Sequence, residues 1–115
     1  MRCVLYHNPR CSKSREALNL LQSQGITPEI VHYLEVPPSP TELKRILKKL
    51  GLSARELART KEALWRELGL EAPGLTDADV IEALAKNPSL IERPMFIAGA
   101  RAVIGRPPER VLELL

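Results

Sequence analysis

The order in which short apolar runs alternate with helix-forming segments constrains the fold of this chain more than any other sequence feature. Residues 2–6 form a short, mostly apolar run, and residues 29–34 are rich in types with high β-propensity, so both segments predict strands. Two more apolar runs, 95–98 and 101–104, surround a Gly-Ala pair and predict a β-hairpin. Strand-forming sequence is therefore confined to the two ends of the chain.

Helix-forming sequence occupies most of the remainder. The polar segment 10–14 leads into a first helix, which is predicted to stop at Gly25, because glycine commonly lies just beyond a helix end. A last helix begins within residues 106–109 and is predicted to run to Leu115. The middle of the chain carries helix-start signals of the capping type at Ser39, Ser53 and Thr76.

These elements follow one another in the order β-α-β, a helical block, and β-β-α. That order predicts an α/β fold: a thioredoxin-like, four-stranded mixed sheet with flanking helices, in which the helical block is an insertion. The chain has 115 residues, a usual length for one domain, so we expect residues 1–115 to form a single domain.

Charge and composition exclude several classes of function. The net charge is +3 and basic residues are interleaved with acids, so no basic run marks a nucleic-acid surface. The first seven residues have no apolar stretch of the length expected for a signal peptide, and no run in the sequence is long enough to predict a membrane span. Its two cysteines are too few for a disulfide framework. We therefore expect a cytoplasmic protein in a reducing compartment.

Cys11 is the residue best placed for chemistry, because it directly precedes the first predicted helix. A helix N-terminus presents unpaired N–H groups and a positive dipole end, and both favour the thiolate, which is the reactive form. Arg10, Lys13 and Arg15 add positive potential, and His7 lies four residues upstream on the same loop. The alternative is that Cys11 is simply a small buried residue at a helix start.

The residues present exclude three other kinds of thiol or metal site. A C-x-x-C redox pair needs Cys where the chain has Ser14, and a Cys-x5-Arg phosphatase loop needs Arg where it has Ala17. The spacing of cysteines and histidines matches no structural zinc pattern, so no metal is expected. Cys3 lies inside a strand and is expected to be structural. Cys11 would thus act alone, with Ser12 or Ser14 donating a hydrogen bond and an outside thiol resolving its oxidised form.

An oxyanion attacked by one thiolate needs separate cationic groups, and the planar fork of arginine suits this best. Arg93 precedes Pro94 and a predicted strand, Arg106 precedes the last helix, and Arg59 ends the short helix that begins at Ser53. For any one of them a solvated surface position is the simpler interpretation. The X-Pro contexts of Arg93 and Arg106 favour a defined position, and the Arg93–Pro94 bond is a candidate for the cis form.

The segment from Tyr6 to Arg15, YHNPRCSKSR, resembles the active-site segment of the glutaredoxin-coupled arsenate reductases. Residues 33–35 and the prolines that follow resemble the second strand and turn of that family. Further segments occur in the family's order, and the resemblance covers nearly the whole chain: Ala54–Leu57 with Arg59, Leu75–Thr76, Asn87–Pro88, Glu92–Pro94 and Gly105–Pro107.

The resemblance implies an arsenate reductase, an oxidoreductase of arsenic detoxification, with a thioredoxin-like fold. It implies that Cys11 attacks arsenate, that His7 helps to lower the cysteine pKa, and that Ser14 hydrogen-bonds the sulfur. Three oxyanion-binding arginines of the family match this chain at Arg59, Arg93 and Arg106. The thiolate–arsenate adduct is attacked by glutathione, glutaredoxin then takes up the glutathione, and arsenite leaves. No bound cofactor or metal is implied, and glutathione is a co-substrate.

Two alternatives stay open at the level of sequence. One is a general glutathione-dependent thiol oxidoreductase that uses the same cysteine on other substrates. The other is a non-enzymatic redox or transcription-regulatory adaptor of the same superfamily. The adaptor is suggested by the family's regulator branch and by a chain that stops at Leu115, before the tail of the classical enzymes. Those regulators usually carry C-x-x-C, which Ser14 interrupts here.

Overall fold

A computed structural model describes residues 2–115 of the chain. The chain forms two compact units. The sheet unit comprises the residues up to Val36 together with Arg93–Leu115, and the helical unit comprises Pro37–Glu92. Within residues 2–115, no helix combines the length and the apolar composition needed to cross a bilayer.

The sheet unit contains a four-stranded mixed sheet. Its strands are β1 (Cys3–Tyr6), β2 (Glu29–Val31), β3 (Met95–Ala98) and β4 (Arg101–Ile104), in the spatial order β2-β1-β3-β4. β1 is parallel to β2 and antiparallel to β3, and β3 is antiparallel to β4. This arrangement confirms the predicted fold class, and the hairpin strands have the predicted bounds.

The second strand is shorter than the predicted segment 29–34, which was wrong beyond Val31. A turn follows it, in which the N–H groups of Glu35 and Val36 both donate to the carbonyl of His32. Tyr33 is buried in that turn. Tyr33 belongs to a residue type with high β-propensity, but here its ring is buried without strand pairing.

Two helical segments of the sheet unit pack on each other: α1 (Ser12–Ser23) and a C-terminal 3₁₀ helix (Pro108–Leu114). α1 ends just before Gly25, which has a φ of 76°, as predicted for a glycine beyond a helix. The last helix lies where the sequence predicts it, but its hydrogen bonds span three residues, for example from Arg110 N–H to Pro107 C=O. The core between sheet and helices consists of Leu5, Ala17, Leu21, Phe96, Ala98, Val103, Val111 and Leu114.

The helical unit contains α2 (Pro40–Leu50), α3 (Ala54–Leu57), α4 (Ala63–Glu67), α5 (Asp77–Lys86) and a short 3₁₀ helix (Pro88–Leu90). All three predicted capping starts are confirmed. The side chains of Ser39, Ser53 and Thr76 each accept a hydrogen bond from the backbone N–H three residues on. α5 packs against both α2 and α3 through apolar side chains, which closes the core of this unit.

Candidate active site

The register of the strands places the last residues of β1 and β4 and the first residue of β3 at the same end of the sheet. In the β1–β3 pair Tyr6 lies opposite Met95, and in the β3–β4 pair Met95 lies opposite Ile104. The residues that follow β1, precede β3 and follow β4 therefore lie at the same end of the sheet. Those residues include His7 and two of the three predicted oxyanion-binding arginines, Arg93 and Arg106.

A tightly hydrogen-bonded turn positions Cys11 between β1 and α1. The N–H of Cys11 donates to the carbonyl of Asn8 at 3.0 Å, and the N–H of Arg10 donates to Asn8 Oδ1 at 3.0 Å. Arg15 Nη1 donates to the carbonyl of Pro9 at 2.9 Å, which ties the turn to the first turn of α1. Asparagine is common in turns because its side chain accepts hydrogen bonds from nearby backbone N–H groups, and proline because its φ is fixed. The local sequence therefore fixes the backbone at Cys11.

Cys11 is the N-cap residue of α1 and its side chain is partly buried. Burial of the thiol acts to raise its pKa. The backbone N–H of Ser14 and the hydrogen-bonded guanidinium of Arg93 act in the opposite direction, and so does the backbone N–H of Lys13. The favourable groups prevail, so the pKa of Cys11 is lowered. Cys11 thus occupies the N-cap position that serine or aspartate usually takes, although its side chain forms no cap hydrogen bond there.

Ser14 links the turn to His7 through a fully buried hydroxyl. Its Oγ lies 2.6 Å from Nδ1 of His7 and accepts a hydrogen bond from the N–H of Asn8 at 3.1 Å. Ser14 therefore acts on Cys11 through its main-chain N–H, whereas its side chain holds His7 and Asn8. The hydroxyl bond to sulfur that the family resemblance implies stays a prediction.

His7 is buried and lies beside a second imidazole. Burial lowers the pKa of His7, with further lowering by the charges of His32 and Arg15. The ring centroids of His7 and His32 are 6.1 Å apart. A lowered pKa means that His7 is neutral at physiological pH. It can therefore act on the site through hydrogen bonds, and its predicted effect on the cysteine pKa stays a prediction.

Arg93 is the predicted arginine that interacts with Cys11. Its Nε and Nη1 atoms are buried, and the Arg93–Pro94 peptide bond is cis, as the sequence suggested. Gly105 allows the strand ends to come together here: a Cβ atom at Gly105 would lie 2.9 Å from Cγ of Pro94. The N–H of Gly105 also donates to the carbonyl of Pro94 at 2.8 Å.

Arg106 lies next to Arg93 but is exposed to solvent. Its Nη1 atom is 3.5 Å from the carbonyl of Arg93, which places the two residues side by side at the end of the hairpin. The Arg106–Pro107 peptide bond is also cis. The sheet unit thus brings Cys11, Arg93 and Arg106 to one end of the sheet.

Arg59 belongs to the helical unit, where the prediction that it ends the short helix was wrong: α3 ends at Leu57, and Arg59 lies beyond it. Its N–H donates to the carbonyl of Leu90 at 2.7 Å, and its Nη2 forms an ion pair with Glu62 at 2.6 Å. These contacts hold the backbone and the guanidinium of Arg59 within its own unit. Its predicted role in oxyanion binding stays a prediction.

A pocket of about 250 Å³ beside the turn was not predicted from the sequence. Its walls come from the turn after β1 and the turn after β2: His7, Asn8, Pro9, Arg10, His32, Leu34 and Glu35. The parallel pairing of β1 with β2 was the signal that could have placed His32 near His7, since both residues directly follow their strands. Within residues 2–115, no group of three or more His, Cys, Asp or Glu side chains is arranged to hold a metal ion.

Comparison with known proteins identifies relatives along almost the whole chain. Residues 6–114 match the model of the ArsC family. A protein of Escherichia coli K12 that is named only as uncharacterized, YfgD, is 54% identical over 112 residues, which covers 96% of this chain and 94% of that protein. An arsenate reductase of Neisseria meningitidis serogroup A is 49% identical over 112 residues and covers 96% of each chain. The solved structure of an arsenate reductase from Vibrio cholerae has 51% identity and a TM-score of 0.97, covering 100% of this chain and 98% of its own.

Proposed function

The chain belongs to the ArsC family, and we propose that it is an arsenate reductase that uses Cys11 as its nucleophile and glutathione and glutaredoxin as its reductants. The observation that carries this proposal is the environment of the Cys11 sulfur. Backbone N–H groups at a helix N-terminus and the guanidinium of Arg93 surround it and favour the thiolate. Relatives about half identical over nearly their full length are named arsenate reductases, which supports arsenate as the substrate.

The first step joins the thiolate to arsenate. The Cys11 sulfur attacks arsenic, an S–As bond forms, and one arsenic-bound oxygen leaves as water after taking up protons. Arsenic stays in the +5 state. The negative charge on the remaining oxygens is balanced by the arginines, because guanidinium groups bind oxyanions through paired hydrogen bonds. We assign this role to Arg93 and Arg106, and also to Arg59 because the family resemblance implies it.

Two outside thiols then supply the electrons. The thiol of glutathione attacks the adduct, forms a second S–As bond and displaces a second water. A glutaredoxin thiolate attacks the glutathione sulfur, so that a disulfide forms between them and the electron pair of the broken S–As bond stays on arsenic. That step reduces As(V) to As(III). Water then cleaves the remaining S–As bond, which releases arsenite and restores the Cys11 thiol.

His7 and Ser14 act as positioning residues in this scheme. The short contact between Ser14 Oγ and His7 Nδ1 and the hydrogen bond from Asn8 N–H hold the turn against the start of α1. A rigid turn keeps the sulfur aligned with the N–H groups of the helix, which is the form of pre-organisation that lowers the cost of charge formation. We further propose that the two units act as one domain and that the protein works in the cytoplasm, where reduced thiols persist.

The test is arsenate-dependent turnover with glutathione and glutaredoxin, measured for the unchanged protein and for two matched variants. Cys11→Ser should abolish turnover and leave the far-UV circular dichroism spectrum unchanged, because the hydroxyl cannot replace the thiolate. Cys3→Ser is the control and should retain turnover. Residual arsenate reduction in Cys11→Ser would contradict the proposal. Faster turnover of glutathione mixed disulfides than of arsenate would assign the chain to the general thiol oxidoreductases instead.

A further inference from the structure

The pocket between the turns after β1 and β2 lies beside Cys11 but does not include it. The turn Asn8–Cys11 contributes its first three residues to the pocket wall, and Cys11 is the next residue along the chain. A molecule held in this pocket therefore lies against the turn that carries the nucleophile.

The charges at the rim of the pocket have opposite signs. Arg10 and Glu35 both line it, both are exposed, and neither side chain forms an ion pair or a hydrogen bond with another of residues 2–115. Leu34, which is 44% exposed, and Pro9 supply apolar surface in the same wall. Separate positive and negative groups around apolar surface match a small zwitterion that carries both a carboxylate and an ammonium group.

The inner wall of the pocket offers a buried polar group. His7 is 6% exposed and uses Nδ1 for its contact with Ser14. Its other ring nitrogen forms no hydrogen bond with any of residues 2–115, and His7 is one of the residues that line the pocket. A neutral imidazole with one nitrogen engaged can exchange a hydrogen bond with a polar ligand through the other.

The size of the pocket also limits its ligand. Small-molecule pockets usually have volumes of about 300–1,000 Å³, and this one has about 250 Å³. It can accept one end of a tripeptide but not the whole molecule. In a tripeptide with its thiol on the central residue, anchoring one end leaves the thiol outside the pocket, near the turn that carries Cys11.

We infer that this pocket binds the thiol co-substrate, a zwitterionic thiol tripeptide of the glutathione type, through Arg10 and Glu35. The inference rests on the proposed function in taking glutathione as the attacking thiol. Arg10 would bind a carboxylate and Glu35 an ammonium group. β2 and β3 flank β1 on its two sides, so the thiol enters from the β2 side, whereas Arg93 holds the oxyanion on the β3 side.

The experiment is a titration of the ¹⁵N-labelled protein with S-methylglutathione, followed by NMR. The blocked sulfur prevents any reaction, so the result does not depend on arsenate reduction. The backbone N–H signals of Asn8, Arg10, His32 and Glu35 should shift and saturate. Arg10→Gln and Glu35→Gln should each weaken binding about threefold to fivefold, the usual effect of one exposed ion pair. Both side chains are exposed, so the fold tolerates the changes.

Matched controls are Arg45→Gln and Glu82→Gln, which change exposed residues of the helical unit and should leave binding unchanged. In turnover assays, Arg10→Gln and Glu35→Gln should raise KM for glutathione and leave KM for arsenate unaltered. Shifts centred on Met95 and Phe96, no shifts at millimolar ligand, or equal binding by all variants would overturn the inference. Binding at the pocket by a protein that reduces no arsenate would instead remove the proposed function alone.

Discussion

The two cysteines of this chain lie at the two ends of one short segment, yet their surroundings differ in kind. Cys3 is a strand residue of β1, pairs with Ala98 in the register of β3, and packs against the apolar core of the sheet unit. Cys11 occupies the N-cap position of α1, where N–H groups and the guanidinium of Arg93 act on its sulfur. Cysteine thus packs as an apolar side chain at position 3 in the strand, whereas at position 11 its thiolate is stabilised at the helix start.

The difference shows that position, and not residue type, creates the candidate nucleophile. Sulfur in a strand meets side chains and already paired backbone groups, whereas sulfur at a helix start meets N–H groups that have no partner in the helix. Arg93 adds a charge that only the sheet register brings there. Removing these features one at a time should make Cys11 progressively more like an ordinary thiol.

The largest effect is expected from Arg93→Met, which removes the charge and the hydrogen bond but keeps a long, unbranched side chain. A hydrogen bond to a charged group contributes about 1.5–3 kcal/mol, so kcat/KM for arsenate should fall roughly tenfold to a hundredfold. The pKa of Cys11 should rise, which a pH titration of its alkylation measures. Arg101→Met changes an exposed arginine of β4 and serves as the control. An unchanged Cys11 pKa in Arg93→Met would show that the guanidinium does not stabilise the thiolate.

Ser14→Ala should reduce stability more than it alters Cys11. It leaves Nδ1 of His7 and the N–H of Asn8 without their shared partner, and an unsatisfied buried polar group costs about 1–3 kcal/mol. The pKa of Cys11 should change little, because the backbone N–H of residue 14 remains. Urea unfolding measures the first effect, and Ser12→Ala, at an exposed position, is the control. A large rise of the Cys11 pKa would mean that the hydroxyl, not the N–H, acts on the sulfur.

The smallest effect is a pH dependence of stability that arises from His7. Burial, followed by the charges of His32 and Arg15, lowers the pKa of His7 in the folded protein. The unfolded chain therefore binds the proton first as the pH falls below about 6.5, and the free energy of unfolding decreases through that window. Above it, the contribution of His7 is constant. His7→Asn should flatten this slope, whereas His32→Asn should keep most of it because burial is the main cause; equal slopes in all three proteins would contradict this account.

Much of the fold follows from local sequence signals. The capped starts at Ser39, Ser53 and Thr76 and both hairpin strands lie where the sequence predicts them, because capping residues and apolar runs act within a few residues. The order of elements then leaves few arrangements, and the mixed four-stranded sheet is the one found. The prediction fails at the end of β2. Tyr33 is of a residue type that favours strands, but it is buried in a turn.

The candidate site could be predicted only in part. Cys11 is recognisable from its place before a helix, since that is a local feature. The interaction with Arg93 depends on the pairing of Tyr6 with Met95, and the pocket depends on the parallel pairing of β1 with β2. Both are contacts between segments far apart in sequence, which local patterns do not encode. The role of Arg59 and the joining of the two units into one domain stay predictions.

The central claim is that Cys11 is a stabilised thiolate beside an oxyanion site. The most direct measurement is the ionisation of Cys11, followed by ultraviolet absorbance in the Cys3→Ser protein and by its rate of alkylation with and without arsenate. The account predicts a midpoint below the value of about 8.5 for free cysteine and slower alkylation when arsenate is present. A midpoint at or above that value, with no protection by arsenate, would contradict it.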